Sequence, residues 1–186
     1  MDIRAATAED ARTIARIYNQ GIEDRVATLE TESRTPDERR GWLSGRTARH
    51  PVLVAVEGAR VVGWASLNPF NPRPAYDHVA DFSVYVERDQ QGTGVGTALV
   101  TALEHRARNL GYHKVVLAAF PWNTAGMALY RRRGFRTVGA YHEQGLLDGR
   151  WVDVVLMEKI LTQGDRVRGG EQDTSYLGRC SVSSES

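Results

Sequence analysis

This sequence has little with which to build a metal centre, a membrane span or a charged docking surface. It holds one cysteine, Cys180, in a polar C-terminal stretch, which leaves no internal disulfide and no cysteine-rich metal cluster. Its five histidines do not gather with each other or with carboxylates at ligand spacing. No apolar run approaches the roughly 18 residues that cross a bilayer, and the opening MDIRAATAED lacks a signal-peptide core. A formal net charge of +1 gives no electrostatic reason to bind nucleic acid or a membrane surface. The expectation is a cytoplasmic chain with no metal, nucleic-acid or membrane partner. With 186 residues and 41% hydrophobic content it suits one compact domain with a sizeable core.

What is present is concentrated in residues 84–110, VYVERDQQGTGVGTALVTALEHRARNL, where a strand pattern runs into a glycine-punctuated turn and then into a long amphipathic helix. Gly92, Gly94 and Gly96 remove side chains that would hold a ligand off the backbone, and they tolerate positive φ. The helix that follows begins with N–H groups that have no intrahelical partner and carry the positive end of the macrodipole. The turn therefore reads as a cradle for a phosphate or pyrophosphate. A P-loop would need a lysine before the helix, and a dinucleotide fingerprint would need a third glycine where Thr97 stands.

A second segment narrows the ligand. Asn123-Thr124-Ala125-Gly126-Met127-Ala128-Leu129-Tyr130, closing on Arg133-Gly134-Phe135, is similar to the pattern N-x-x-A-x-x-L-Y-x-x-x-G-F, with Gly126 at the position of its alanine. With Gln91-Gly92-Thr93-Gly94-Val95-Gly96 as Q-x-x-G-x-G, the pair resembles the GCN5-related N-acetyltransferases, which hold acetyl-CoA. Within that superfamily the chain is most similar to the phosphinothricin-type amino-acid acetyltransferases and their arsinothricin-resistance branch. That similarity runs through TLETESRT at 28–35, GWASLNPFNPRPAY at 63–76 and GLLDGRWVDVVLMEK at 145–159, and covers about residues 2–161.

The pattern along the chain gives a short strand at 3–5, a helix capped by Thr7 and Asp10 and running to about Gln20, and a second helix opening at Pro36. A hairpin follows at 52–57 and 60–67, then a proline-stiffened loop at 68–74 that should sustain neither helix nor central strand. The central strand spans 78–86, with Asp81, Ser83 and Tyr85 on one face. The helix at 94–110 carries Leu99, Ala102, Leu103, Ala107 and Leu110 as its apolar stripe and is capped by Gly111. A buried parallel strand at 115–120, a helix at 124–133, and a strand pair at 135–142 and 151–159 around Asp148-Gly149 complete the domain, residues 1–162. The fold class is a mixed α/β sandwich with a mostly antiparallel central sheet flanked by helices. Residues 163–186, polar, serine-rich and without periodicity, read as a disordered tail.

Moving an acetyl group from a thioester to an amine requires a neutral amine, a stabilised oxyanion and a proton for the leaving thiolate. Asp81 stands where the resembling family carries a glutamate, which implies a general base acting directly or, the side chain being one methylene shorter, through a water. A carboxylate between Ala80 and Phe82 also has reason for a raised pKa. The resemblance assigns the oxyanion to a backbone N–H near Val86 and makes Tyr130 the proton donor, at a position where close relatives often carry histidine. It implies acetyl-CoA contacts from Val84, Tyr85, Val86, Gln91, Gly92, Thr93, Gly94, Val95, Gly96, Thr97, Asn123 and Gly126. It places Arg73 and Tyr76, in an R-x-A-Y segment, around the acceptor, and an arginine fork suits a carboxylate. A homodimer is a further implication.

The expected function is transfer of acetyl from acetyl-CoA to the α-amine of a small amino acid or toxic analogue of the phosphinothricin, methionine sulfoximine or arsinothricin type. Two alternatives stay open. One is acetylation of a protein N-terminus or another amine. The other is a non-catalytic acyl-CoA-binding sensor, against which the presence of Asp81 and Tyr130 argues.

Overall fold

The computed structural model describes residues 1–161; the expected tail at 163–186, Cys180 included, lies outside them. Its strands are β1 (Asp2–Ala5), β2 (Val52–Glu57), β3 (Arg60–Pro69), β4 (Val79–Val86), β5 (Lys114–Ala119), β6 (Arg136–Leu147) and β7 (Arg150–Ile160). Its helices are α1 (Ala11–Glu23), α2 (Pro36–Ser44), α3 (Val95–Asn109) and α4 (Thr124–Arg132). The strands form one sheet in the order β1-β2-β3-β4-β5-β7-β6, antiparallel throughout except where β4 meets β5. None of the described helices is long and apolar enough to cross a membrane.

Strand alternation sorts the core onto two faces of the sheet. On one, Leu99, Leu103 and Ala107 of α3 pack against Ala65, Leu67, Ala80 and Phe82. On the other, Ile14, Ile17, Tyr18 and Ile22 of α1 pack against Val52, Val54 and Trp64. Leu99 is wholly buried, and burial of one such side chain is worth about 1.5–3 kcal/mol. The buried stripe of α3 differs from the expected one. Val95, Val100 and Glu104 belong to it, whereas Ala102 and Leu110 are only half-buried. Glu104 is tolerated there because Lys159 and Arg133 donate to its Oε2 at 2.8 and 3.0 Å. Gly111, at φ +80°, ends α3 as expected.

Three boundaries depart from expectation for local reasons. Helix α1 runs past Gln20 to Glu23 because Gly21 does not break it; a Cβ at Gly21 would lie 3.2 Å from the Tyr85 ring, so a residue without one lets that ring approach. Strand β3 extends through Asn68 and Pro69, into the loop the prolines were expected to open. Pro69 faces Ala80 while β2 pairing has already ended at Val52/Ser66, so the missing N–H removes no ladder bond. Strand β6 resumes after a bulge at residues 141–145 and continues to Leu147, because Glu143 turns at φ +49° and donates its N–H to Asp153 Oδ1 at 2.9 Å. The hairpin then closes through Asp148 and Gly149, both at positive φ, as a two-residue turn demands.

Candidate active site

The site begins where the sheet comes apart. β4 and β5 pair over only three positions, Val79/Lys114, Ala80/Val115 and Asp81/Val116, after which β4 runs on to Val86 paired with β3 alone while β5 stays with β7. Glu87 donates its N–H to the Val62 carbonyl at 2.9 Å. Bonding alternates along an antiparallel ladder, so the N–H and C=O groups of Val84 and Val86 point away from β3, into the opening. A cleft of about 440 Å³ occupies that opening and is lined by β4, α1, the glycine turn and α4.

The glycine turn is shaped as the sequence implies at two of its three glycines. Gly92 sits at φ +79° and Gly94 at φ +101°, and a Cβ built on either meets nothing within 4 Å, so backbone conformation rather than crowding selects glycine there. Gly96 differs from expectation. It lies inside α3 without positive φ, and its Cβ would come within 3.1 Å of Leu129, so it serves the packing of α3 against α4. The first backbone bond of α3 runs from Ala98 to Gly94, leaving the N–H groups of Val95, Gly96 and Thr97 at the helix start without an earlier carbonyl.

Of the residues assigned to acetyl-CoA, Val84, Tyr85, Val86, Gln91, Gly92, Gly94, Gly96, Thr97, Asn123 and Gly126 line the cleft. Thr93 and Val95 do not. The Thr93 hydroxyl donates to the Gln90 carbonyl at 2.8 Å, and the Val95 side chain is buried in the core. Asn123 caps α4 by accepting the Gly126 N–H at 2.9 Å, and a Cβ on Gly126 would collide with it at 2.8 Å.

The turn is anchored from behind. Buried Glu87 accepts from Arg16 and, at 2.5 Å, from Gln20 Nε2, while Gln20 Oε1 accepts the Arg88 N–H at 3.0 Å. Sequence reading missed Gln20, Gly21, Val26, Ala27 and Arg132, all of which line the cleft. No local signal marks them, because they reach it from other elements.

Asp81 pairs across the ladder with Asn68, whose Nδ2 donates to Asp81 Oδ2 at 3.3 Å and to Ser83 Oγ at 3.2 Å. Burial pushes its carboxyl up to about 6, against the opposing pull of the Asn68 amide and the Phe82 N–H. Tyr130 lines the cleft, stands edge-on to Phe82 at 5.8 Å and is nearly buried. Burial, and then the negative charge of Asp81, push its phenol up to about 12. Tyr130 thus senses the charge of Asp81, although Asp81 itself is not among the residues that line the cleft. Arg73 and Tyr76 are placed differently. Both are exposed on the loop that leaves the sheet at Pro69, Arg73 donating its N–H to Asn71 Oδ1 and Tyr76 packing on Phe70, and neither lines the cleft. Because Pro69 pairs with Ala80, that loop departs at the Asp81 end of the site.

Comparison with known proteins agrees with this geometry. The description "Acetyltransferase (GNAT) family" matches residues 14–135. The chain is 35% identical over 158 residues to the L-methionine sulfoximine/L-methionine sulfone acetyltransferase of Pseudomonas aeruginosa, spanning 84% of this chain and 92% of that protein. It is 31% identical over 165 residues to the phosphinothricin N-acetyltransferase of Streptomyces coelicolor, spanning 87% of this chain and 96% of that one. Among solved structures, the phosphinothricin acetyltransferase of Sinorhizobium meliloti in complex with AcCoA superposes with a TM-score of 0.80 at 28% identity, over 95% of each chain. The chain belongs to the acetyltransferase (GNAT) family.

Proposed function

We propose that the chain is an acetyl-CoA-dependent N-acetyltransferase acting on the α-amine of an amino acid or amino-acid analogue, with phosphinothricin, methionine sulfoximine and arsinothricin as the acceptor type. The observation that carries this reading is the gap between β4 and β5, with a positive-φ glycine turn on one wall and Asp81 and Tyr130 at the parting of the strands. The wall fits acetyl-CoA: Gly92 and Gly94 leave open space where side chains would project, and the first N–H groups of α3 suit a pyrophosphate. Bound acetyl-CoA supplies a thioester acyl carbon and a thiolate leaving group.

The chain's own groups divide the remaining work. Asp81, largely ionised at neutral pH with its carboxyl near 6, takes a proton from the acceptor amine directly or through water, held in orientation by Asn68. The N–H groups of Val84 and Val86 point where the acyl oxygen gains charge as the C–N bond forms. Tyr130, still protonated at neutral pH, gives its proton to sulfur as the C–S bond breaks. Arg73 and Tyr76 approach the acceptor from the loop beyond Asn68. The exposed Val138, Tyr141, Leu146 and Trp151 of β6 and β7 support the expected pairing of two chains, which solution mass tests. Use of acetyl-CoA supports the cytoplasmic expectation.

Thiol release from acetyl-CoA across a panel of amines tests the reading. Release is expected with amino-acid analogues carrying a free carboxylate. Release with a peptide N-terminus alone would move the acceptor to proteins, and acetyl-CoA binding without release by any amine would leave a sensor.

A further inference from the structure

On the sheet face that carries Asp81, one cation has no counter-charge in contact. Arg39 of α2 is buried, 9% exposed, and its guanidinium makes no hydrogen bond or ion pair among the described residues. Its Cζ lies 3.9 Å above the Tyr18 ring, 5.2 Å from that of Trp42 and 6.0 Å from that of Trp64. Two N–H donors in this aromatic nest, Arg39 Nε and Trp64 Nε1, are sealed from solvent without an acceptor. The acid that senses the Arg39 charge, Glu30, is itself bonded to Arg34 at 2.7 Å. Aromatic faces offset part of the cost of burying a guanidinium, but they accept no N–H bonds, so an oxyanion remains the partner its chemistry calls for.

The nest adjoins the cleft across a single ring. Trp64 stacks on Tyr85 at 4.6 Å and Tyr18 meets Tyr85 at 4.9 Å, and Tyr85 lines the cleft. The registers Trp64/Tyr85, Ser66/Ser83 and Asn68/Asp81 put nest, hydroxyls and carboxylate on one face in a row. At about 3.3 Å per residue, Tyr85 and Asp81 stand roughly 13 Å apart along the strand. An acceptor whose amine meets Asp81 therefore reaches the nest with the far end of its side chain, not with its α-carboxylate.

We propose that Arg39, in the nest of Tyr18, Trp42, Trp64 and Tyr85, binds the anionic group at the distal end of the acceptor's side chain and so selects acidic-tailed amino-acid analogues. The proposal rests on the acetyltransferase reading and gives it a specificity determinant. Phosphinothricin carries an anionic phosphinate tail, whereas L-methionine sulfone is neutral there. Arg39→Met, which keeps bulk on the rings, should raise the ratio of KM for phosphinothricin to KM for methionine sulfone at least tenfold over wild type. Arg39→Lys, with charge but no planar fork, should restore part of the ratio. A ratio within twofold of wild type in a folded Arg39→Met protein would overturn the proposal. If Arg39→Met does not fold, Arg39→Lys decides it by the same ratio, expected to rise at least threefold. If wild type releases no thiol with either acceptor, the acetyltransferase reading fails separately, and calorimetry with phosphinothricin still decides this one. Binding lost in Arg39→Met would support it, and equal binding would overturn it.

Discussion

The two halves of the proposed site are built from different materials. The acetyl-CoA half is mostly backbone: positive-φ glycines, the start of α3 and a capped start to α4, all within residues 91–126. The side proposed for the acceptor is mostly side chains: next to the cleft, α2, β3 and β4 bring together an arginine, Arg39, and a carboxylate, Asp81, that share no local motif. A backbone site depends on which residue types allow a conformation, so it tolerates little change and leaves a short pattern. A side-chain site depends on which groups converge, so it can be retuned one residue at a time.

The largest expected effect lies where the halves meet. Asp81→Asn should lower kcat by about 10²-fold or more while leaving acetyl-CoA affinity within about twofold, since the base belongs to the acceptor half. The wild-type rate should fall on acidification through about pH 6, where Asp81 takes up its proton. The same shift has a stability cost with a definite sign. The folded carboxyl titrates near 6 against 3.8 for the unfolded reference, so its charge destabilises the fold above pH 6 and the penalty disappears toward pH 4. Asp81→Asn should therefore melt higher than wild type at pH 8, by at most about 3 kcal/mol, and lose that advantage at pH 4. Unchanged turnover together with an unchanged melt at pH 8 would put the base elsewhere.

Glycine replacements sharpen the contrast within the backbone half. Gly94→Val should weaken acetyl-CoA binding about tenfold or more by resisting left-handed φ, with a smaller effect on melting. Gly96→Val should do the reverse, costing about 1–3 kcal/mol of stability through overpacking against Leu129. Calorimetry with acetyl-CoA and a thermal melt on each variant separate the two. Equal affinity loss without destabilisation at Gly96 would return it to the cradle.

The smallest effect belongs to Arg73. An exposed arginine pairs with a carboxylate at a gain of about 0.2–1 kcal/mol, so Arg73→Ala should raise acceptor KM no more than about fivefold. A much larger rise, for an amino acid but not its amide, would show that the loop closes over the acceptor and that the exposed position is an open state.

The same contrast explains what could be read from sequence. Element order, the glycine turn, the helix opening at Thr124 and the Asp81 strand position were legible because each is fixed by neighbours a few residues apart. Gln20 and Arg16 behind the turn were not, since their partner Glu87 is 67 and 71 residues away. Nor was Arg39, which as one of two adjacent arginines on a polar helix looks like a solvated face until α2 packs its guanidinium on Tyr18. Gly96 was misread for a related reason: a glycine in a glycine-rich turn looks conformational, and only the approach of Leu129 reveals a packing role. Pro69 was misread because a proline forbids a ladder bond only where a ladder continues, and β2 stops short of it.

The three-residue seam between β4 and β5 also sets how the centre of the sheet exchanges with solvent. Most sheets protect their middle strand best, because both of its edges are bonded. Here Val84 and Val86 lie on an interior strand yet turn their amides to an open edge, so deuterium should enter them far faster than the neighbouring Ser83 and Tyr85, whose N–H groups face β3. An acyl oxygen lodged against those two amides would slow them alone, and the exchange map would then register acetyl-CoA residue by residue, without turnover and without any acceptor.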